Sequence, residues 1–231
     1  MEKISNCLLC DKNLKDSRKL FIKNLPESAQ GFEKIKGKIK KNFSTYLFQC
    51  NYCNHVQLGT NPVHYYKEVV RSVGISEEMK NYRKRQFEEL RKKYFNNSKK
   101  IKVLEIGSAS GEYSEIMSHI FDKVVATEKG EKNIKNNLDK GICCINTHPD
   151  EDDFSEKLNN FGKFDLICCF SYLEHLPNPK KTMRLLNSIL KEDGFYLIEI
   201  PNSEMIFRRG LLNEVIPDHL SYFTINTSTA L

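Results

Sequence analysis

Val103-Leu-Glu-Ile-Gly-Ser-Ala-Ser-Gly-Glu112 is the stretch that decides the fold of this chain. Residues 100–106 form a short β-branched run that reads as a strand, and residues 112–121 repeat their apolar positions at helical spacing. Between them lies a turn with glycines at 107 and 111. A strand that passes through a glycine turn into a helix sets backbone amides and a helix N-terminus against a ligand at the strand's carboxyl end. The dinucleotide pattern G-x-G-x-x-G fails here. Counted from Gly107, its later places hold Ala109 and Glu112, and a carboxylate at the third place would repel a pyrophosphate. The P-loop pattern fails too, because no Lys-Ser or Lys-Thr follows Gly111. An adenosine-like ligand is the remaining expectation.

The same residues resemble motif I of class I S-adenosylmethionine methyltransferases, E/D-x-G-x-G-x-G, with Ala109 in place of the middle glycine. Lys123-Val-Val-Ala-Thr-Glu128 reads as a second strand ending in an acid, placed where a carboxylate can accept hydrogen bonds from two vicinal ribose hydroxyls. Residues 141–146 read as a third strand. Residues 164–170 read as a fourth, nearly all apolar, as a strand covered on both faces should be. A helix over 178–190 precedes a fifth strand at 194–201. Strands alternating with helices predict an α/β fold with a Rossmann-like, doubly wound parallel sheet.

With 231 residues and 39% hydrophobic content, the chain can bury one good core and a small satellite. No signal sequence is evident, and the longest apolar run, 166–173, is too short to span a bilayer. A cytoplasmic protein without membrane contact is therefore expected. The net charge of +6 comes mostly from lysine- and arginine-rich stretches at 34–41 and 80–102. The second reads as an amphipathic helix, with Met79, Tyr82, Phe87, Leu90 and Tyr94 among its charges. Such charge is read as a solvated face rather than a nucleic-acid surface, and it also suits an anionic small substrate.

Cys7-Leu-Leu-Cys10 and Cys50-Asn-Tyr-Cys53 are two C-x-x-C knuckles. Four thiolates so paired match tetrahedral Zn2+ in a structural role, since four sulfur ligands leave no open position. Disulfides are disfavoured because nothing directs the chain to an oxidising compartment, and no thioredoxin-like context surrounds the knuckles. Cys143, Cys144, Cys168 and Cys169 lie inside apolar strands and read as small buried side chains. The expected organisation is a zinc-binding lobe over 1–62, a helical connector or lid over 63–97, and a cofactor-binding domain over 98–231.

Near the end, Ile216-Pro-Asp-His-Leu-Ser-Tyr-Phe-Thr224 places an acid beside a histidine, a pair able to act as general base. The whole layout now resembles the sugar C-methyltransferases: the four-cysteine lobe, the connector, motif I, Leu173-Glu-His-Leu-Pro177, Ile200-Pro-Asn202 and D-H-L-S-Y-F-T. The resemblance implies S-adenosylmethionine contacts at Glu105, Gly107, Ala109, Gly111 and Glu128, with Ser171, Glu174 and His175 shaping the site. It implies zinc at Cys7, Cys10, Cys50 and Cys53. Asp218 and His219 match the base, with Tyr222 and the Tyr65-Tyr66 pair as contacts to substrate. The implied reaction is C-methylation of a nucleotide-linked keto-deoxysugar, with His219 removing a proton beside the carbonyl and a tyrosine hydroxyl stabilising the enolate.

Other readings stay open. An oxygen nucleophile also benefits from a histidine base, so O-methylation of a surface-polysaccharide sugar or another small molecule remains. A nucleic-acid methyltransferase with an RNA-binding zinc lobe is disfavoured, because Ser171-Tyr-Leu-Glu stands where amino-group enzymes carry N-P-P-Y-like residues. Class I sheets end in a further hairpin, and residues 225–231 contain none. A truncated chain is expected, inactive or completed by a partner, with its fifth strand left as an edge.

Overall fold

A computed structural model of the chain describes residues 5–27, 42–68, 75–95 and 100–231; the basic stretch at 34–41 lies outside them. The chain divides into two compact units. One gathers Met1–Val69, Ser171–Met183 and Glu199–Leu231; the other gathers Val70–Phe170 and Arg184–Ile198.

The first unit starts with β1 (Arg18–Pro26), β2 (Asn42–Gln49) and β3 (Val56–Leu58), paired antiparallel in that order. The second unit starts with α1 (Glu77–Tyr94), capped by the Ser76 side chain, which accepts from the Met79 amide at 3.2 Å. Glu77 and Glu78 lie in its first turn and Arg91, Lys92 and Lys93 in its last, the order that complements the helix dipole. The amphipathic reading is only partly met. Phe87 is fully buried and Leu90 half-buried, whereas Met79, Tyr82 and Tyr94 are exposed. One charge is not on the solvated face: Arg83 is buried, its guanidinium 4.7 Å from the Tyr113 ring and 4.9 Å from that of Phe170.

The alternating segment follows as β4 (Lys102–Ile106), α2 (Glu112–Ser118), β5 (Lys123–Glu128), α3 (Glu131–Asp139), β6 (Cys143–Asn146), α4 (Phe154–Asn159), β7 (Phe164–Phe170), α5 (Pro179–Ile189) and β8 (Leu190–Glu199). The sheet order is β6-β5-β4-β7-β8, with β4 parallel to both β5 and β7 and β5 parallel to β6. The expected Rossmann-like sheet is therefore present. Strand order reverses between β4 and β7, the switch point outside which such sheets bind ligands. Central β7 buries Leu166, Ile167, Cys168 and Cys169 completely. Cys143 and Cys144 differ from expectation, being exposed and half-buried, because β6 is an edge strand of the sheet. Phe87, Val103, Tyr113, Met117, Phe121 and Leu166 share the core beneath α1 and α2.

The chain ends in the first unit with α6 (Ser203–Arg208), β9 (Ser221–Tyr222) and α7 (Ile225–Ser228). Strand β9 pairs antiparallel with β3, Val56 opposite Tyr222 and Gln57 opposite Ser221. Leu25, Leu47, Leu58, Val215 and Tyr222 form the core there, so residues from both ends of the sequence share one apolar cluster. No helix among the described residues is long and apolar enough to cross a membrane.

Candidate functional site

The loop after β4 turns through three left-handed residues, Gly107 (φ 68°), Ala109 (φ 49°) and Gly111 (φ 79°). The Gly107 and Ser108 amides donate to the Thr127 carbonyl at 3.0 and 3.1 Å, tying the loop to the end of β5. Glu128 then grips the loop. Its Oε2 accepts from the Ala109 amide at 2.8 Å, and its Oε1 accepts from the Lys129 and Gly130 amides at 2.9 and 3.1 Å. Burial raises the Glu128 pKa, opposed by these amide donors. A carboxylate has about four lone-pair sites, so roughly one is left for a ribose hydroxyl rather than two. Glu105 does not face a ligand freely. It is buried and accepts from the Ser114 hydroxyl, which fixes α2 to β4.

Asn137 of α3 was not singled out from sequence. Its Nδ2 donates to the Ala109 and Asn133 carbonyls at 2.8 and 2.9 Å and so holds the loop from the far side. One of three asparagines in a polar helix, Asn137 carries no local mark of such a role. Ala109 occupies a conformation costing an L-residue about 1–2 kcal/mol, against about 0.5–1 kcal/mol for the extra freedom of glycine. Ala109→Gly is therefore expected to stabilise the protein by about 0.5 kcal/mol, read as a raised urea midpoint. A lowered midpoint would show that the methyl group packs better than this balance allows.

In the first unit, the two knuckles are near copies. The Cys7 amide donates to the Lys12 carbonyl and the Asp11 amide to the Cys7 carbonyl, at 2.8 and 3.0 Å. The Cys50 amide donates to the His55 carbonyl and the Asn54 amide to the Cys50 carbonyl, both at 2.9 Å. Asp11 and Asn54, each directly after its knuckle, have φ of 63° and 60°. All four sulfurs lie within 4.8 Å of one another, and the Cys7–Cys53 and Cys10–Cys50 pairs are 3.6 Å apart. Zn–S bonds of 2.3 Å at tetrahedral angles give sulfur–sulfur edges of about 3.8 Å, so the set fits a zinc ion. Burial pushes the Cys7 thiol up strongly and the Cys53 thiol up to about 11, so ionising these two calls for a cation among the sulfurs.

The remaining predicted residues also fall in this unit. Leu173–His175 form a 3-10 turn that carries Glu174 and His175. Two bonds staple it to the later segment: the Leu220 amide donates to the Glu174 carbonyl at 2.8 Å, and His175 Nδ1 lies 2.7 Å from the Asp218 carbonyl oxygen. The His175 and His219 rings meet edge to face at 4.9 Å. Asp218 serves another partner than its neighbour, because its Oδ1 accepts from the Tyr65 hydroxyl. Tyr222 is buried in the lobe's apolar cluster, its ring 6.3 Å from that of His219, and burial pushes its phenol up. Ser171 holds a left-handed φ of 48°, its amide donating to the Glu199 carbonyl at 2.9 Å.

Burial sets the ionisation here. It pushes Glu174 up to about 8, with the residue's own amide opposing. It lowers His219 to about 4, helped by the neighbouring His175 and opposed by the Glu214 backbone carbonyl. His219 is consequently neutral at pH 7 and holds a lone pair for a proton.

The chain is 32% identical over 113 residues to the ubiquinone biosynthesis O-methyltransferase of Glaesserella parasuis, covering 44% of this chain and 45% of that one. It is 28% identical over 97 residues to the Pseudomonas aeruginosa enzyme of the same name, covering 40% and 41%. The chain thus spans less than half the length of these curated relatives. Among solved structures, the YcgJ protein of Bacillus subtilis superposes with a TM-score of 0.49 at 18% identity, covering 63% of this chain and 65% of that one. Residues 79–228 match the model of a methyltransferase domain, which takes in the glycine loop, β4 to β8 and the Asp218-His219 segment. By that match the chain belongs to the methyltransferase-domain family, and its five-stranded parallel sheet is that of the class I, S-adenosylmethionine-dependent kind.

Proposed function

We propose that this protein transfers a methyl group from S-adenosylmethionine to a small molecule, by C-methylation of a nucleotide-linked keto-deoxysugar. When bound, S-adenosylmethionine supplies an electrophilic methyl group on a sulfonium. The chain's own residues do the rest. The loop from Gly107 to Gly111 and the Glu128 carboxylate hold the nucleoside. His219 accepts the proton that leaves the carbon beside the substrate carbonyl, and the Tyr65 hydroxyl, whose single proton goes to Asp218 in the free protein, turns from Asp218 to donate to the enolate oxygen. The zinc set at Cys7, Cys10, Cys50 and Cys53 fixes the N-terminal part of the unit that carries Tyr65. The observation that carries this reading is a half-buried imidazole, His219, in the same unit as a tyrosine anchored on the Asp218 carboxylate. With its conjugate acid near 4, His219 is a weak base at rest, and its basicity rises as negative charge develops on a bound enolate.

Two measurements test the reading. Calorimetric titration is expected to give micromolar binding of S-adenosylmethionine, lost in Glu128→Ala; absence of binding by the folded protein sinks the donor assignment. His219→Ala is expected to lower turnover by about 100-fold or more, the usual range for a general base. Turnover within threefold of wild type removes His219 from that role. The O-methyltransferase names of the curated relatives favour a second reading, methyl transfer to an oxygen. A carbon acceptor must first lose a proton, so in D2O without S-adenosylmethionine the substrate is expected to exchange that proton for deuterium by reversible enolisation, and in turnover the product's methyl group should sit on carbon. A methyl ether as sole product selects the second reading.

A further inference from the structure

Glu174, His175 and His219 offer one carboxylate oxygen and two ring nitrogens within 4.8 Å of one another. The Glu174 side chain is fully buried, and beyond its own amide neither carboxylate oxygen has a hydrogen-bond partner among the described residues. A buried carboxylate in that state is costly, and native proteins supply such groups with a donor, a counter-charge or a metal.

His175 is prepared on its outer side. His175 Nδ1, 2.7 Å from the Asp218 backbone carbonyl, must carry the proton it donates there, which leaves the lone pair on Nε2, 3.9 Å from Glu174 Oε1. An imidazole whose second nitrogen donates to a carbonyl has the tautomer and orientation of a metal ligand. The staple between the Leu220 amide and the Glu174 carbonyl holds the two segments in register.

We propose that Glu174, His175 and His219 bind a divalent cation of the Zn2+ class, at a site separate from the four cysteines. Two imidazoles with one carboxylate suit zinc, cobalt or nickel better than magnesium or calcium, which prefer all-oxygen shells. Bond lengths of about 2.0–2.2 Å require the three ligand atoms to close in by about 1 Å, and the fourth position stays open. A coordinated His219 nitrogen has no lone pair for a proton. An occupied site therefore suspends the base chemistry proposed above, and this consequence alone rests on that functional reading.

The test is a calorimetric titration of the full chain, its cysteine site first filled with one equivalent of zinc, with further Zn2+ as the probe. One additional saturable equivalent is expected, lost in Glu174→Gln and in His219→Gln while the first equivalent stays. Cobalt bound at the second site of the wild-type protein is expected to absorb without thiolate-to-metal charge transfer, unlike cobalt at the cysteines. No second equivalent in the folded wild type overturns the site, and so does a second equivalent that both variants retain. A second equivalent that leaves turnover unchanged keeps the site and removes His219 as base. Inhibition without a second equivalent also overturns the proposal.

Discussion

With zinc at the four cysteines as proposed, Cys50→Ser is expected to unfold the segment around the two knuckles at moderate temperature and to abolish zinc binding there. Cys50 is fully buried in a small cluster with Cys7, Leu9 and Leu14, so little apolar surface holds this corner together besides the sulfurs. In small zinc-binding units the metal contributes on the order of 10 kcal/mol of apparent folding energy, comparable with the roughly 5–15 kcal/mol that keeps a whole domain folded. Replacing one thiolate of four is expected to remove several kcal/mol of that. Removing zinc with a strong chelator should reproduce the effect in the wild type. The measurements are zinc content per chain, and thermal melts and limited proteolysis reporting on β1 to β3. A fully zinc-loaded variant, or a melt indifferent to chelator, would show that the knuckles are held by packing alone.

Gly111→Ala is expected to lower stability by about 3 kcal/mol and to abolish tight binding of S-adenosylmethionine. The left-handed φ of 79° costs an L-residue about 1–2 kcal/mol. The new methyl carbon would also lie 2.5 Å from Asn137 Oδ1 and 2.8 Å from its Cγ. Asn137 is fully buried and cannot swing away without giving up its bonds to the Ala109 and Asn133 carbonyls, each worth about 0.5–1.5 kcal/mol. Gly141 is the internal control. It has a similar φ of 75°, but an added methyl would meet nothing within 4 Å, so Gly141→Ala carries the backbone cost alone. Urea midpoints of the two variants separate backbone strain from the clash. Equal losses at the two positions would mean that Asn137 yields freely and does not hold the loop.

Much of the α/β unit was legible in sequence because its signals are local. A strand run, a turn with left-handed glycines and a helical repeat each lie within about ten residues, so β4, β5, β6 and β7 fall where the pattern puts them. The fifth strand is less well marked. It begins at Leu190 directly after α5, not near Gly194, so the boundary between helix and strand is not where the sequence places it. The motif also named Glu128 and the loop glycines, since one strand end and one turn bring them together. It could not show that Glu128 spends most of its hydrogen-bonding capacity on loop amides.

Local patterns name the chemical groups: the parallel sheet with its glycine loop, the two cysteine knuckles, and an acid and a histidine near residue 219. Which of those groups meet is settled by long-range packing. Neighbours Asp218 and His219 point to different partners, Asp218 taking the Tyr65 hydroxyl from 153 residues away. His175 fastens to the Asp218 backbone 43 residues on, which is what brings Glu174, His175 and His219 together. His55 Nε2 lies 3.2 Å from Ser221 Oγ across 166 residues, beside the β3–β9 pairing. Hydrophobic periodicity records which face of an element is buried, not which distant segment buries it. Contacts of that separation depend on loop closure and side-chain direction, and neither leaves a repeat in the sequence.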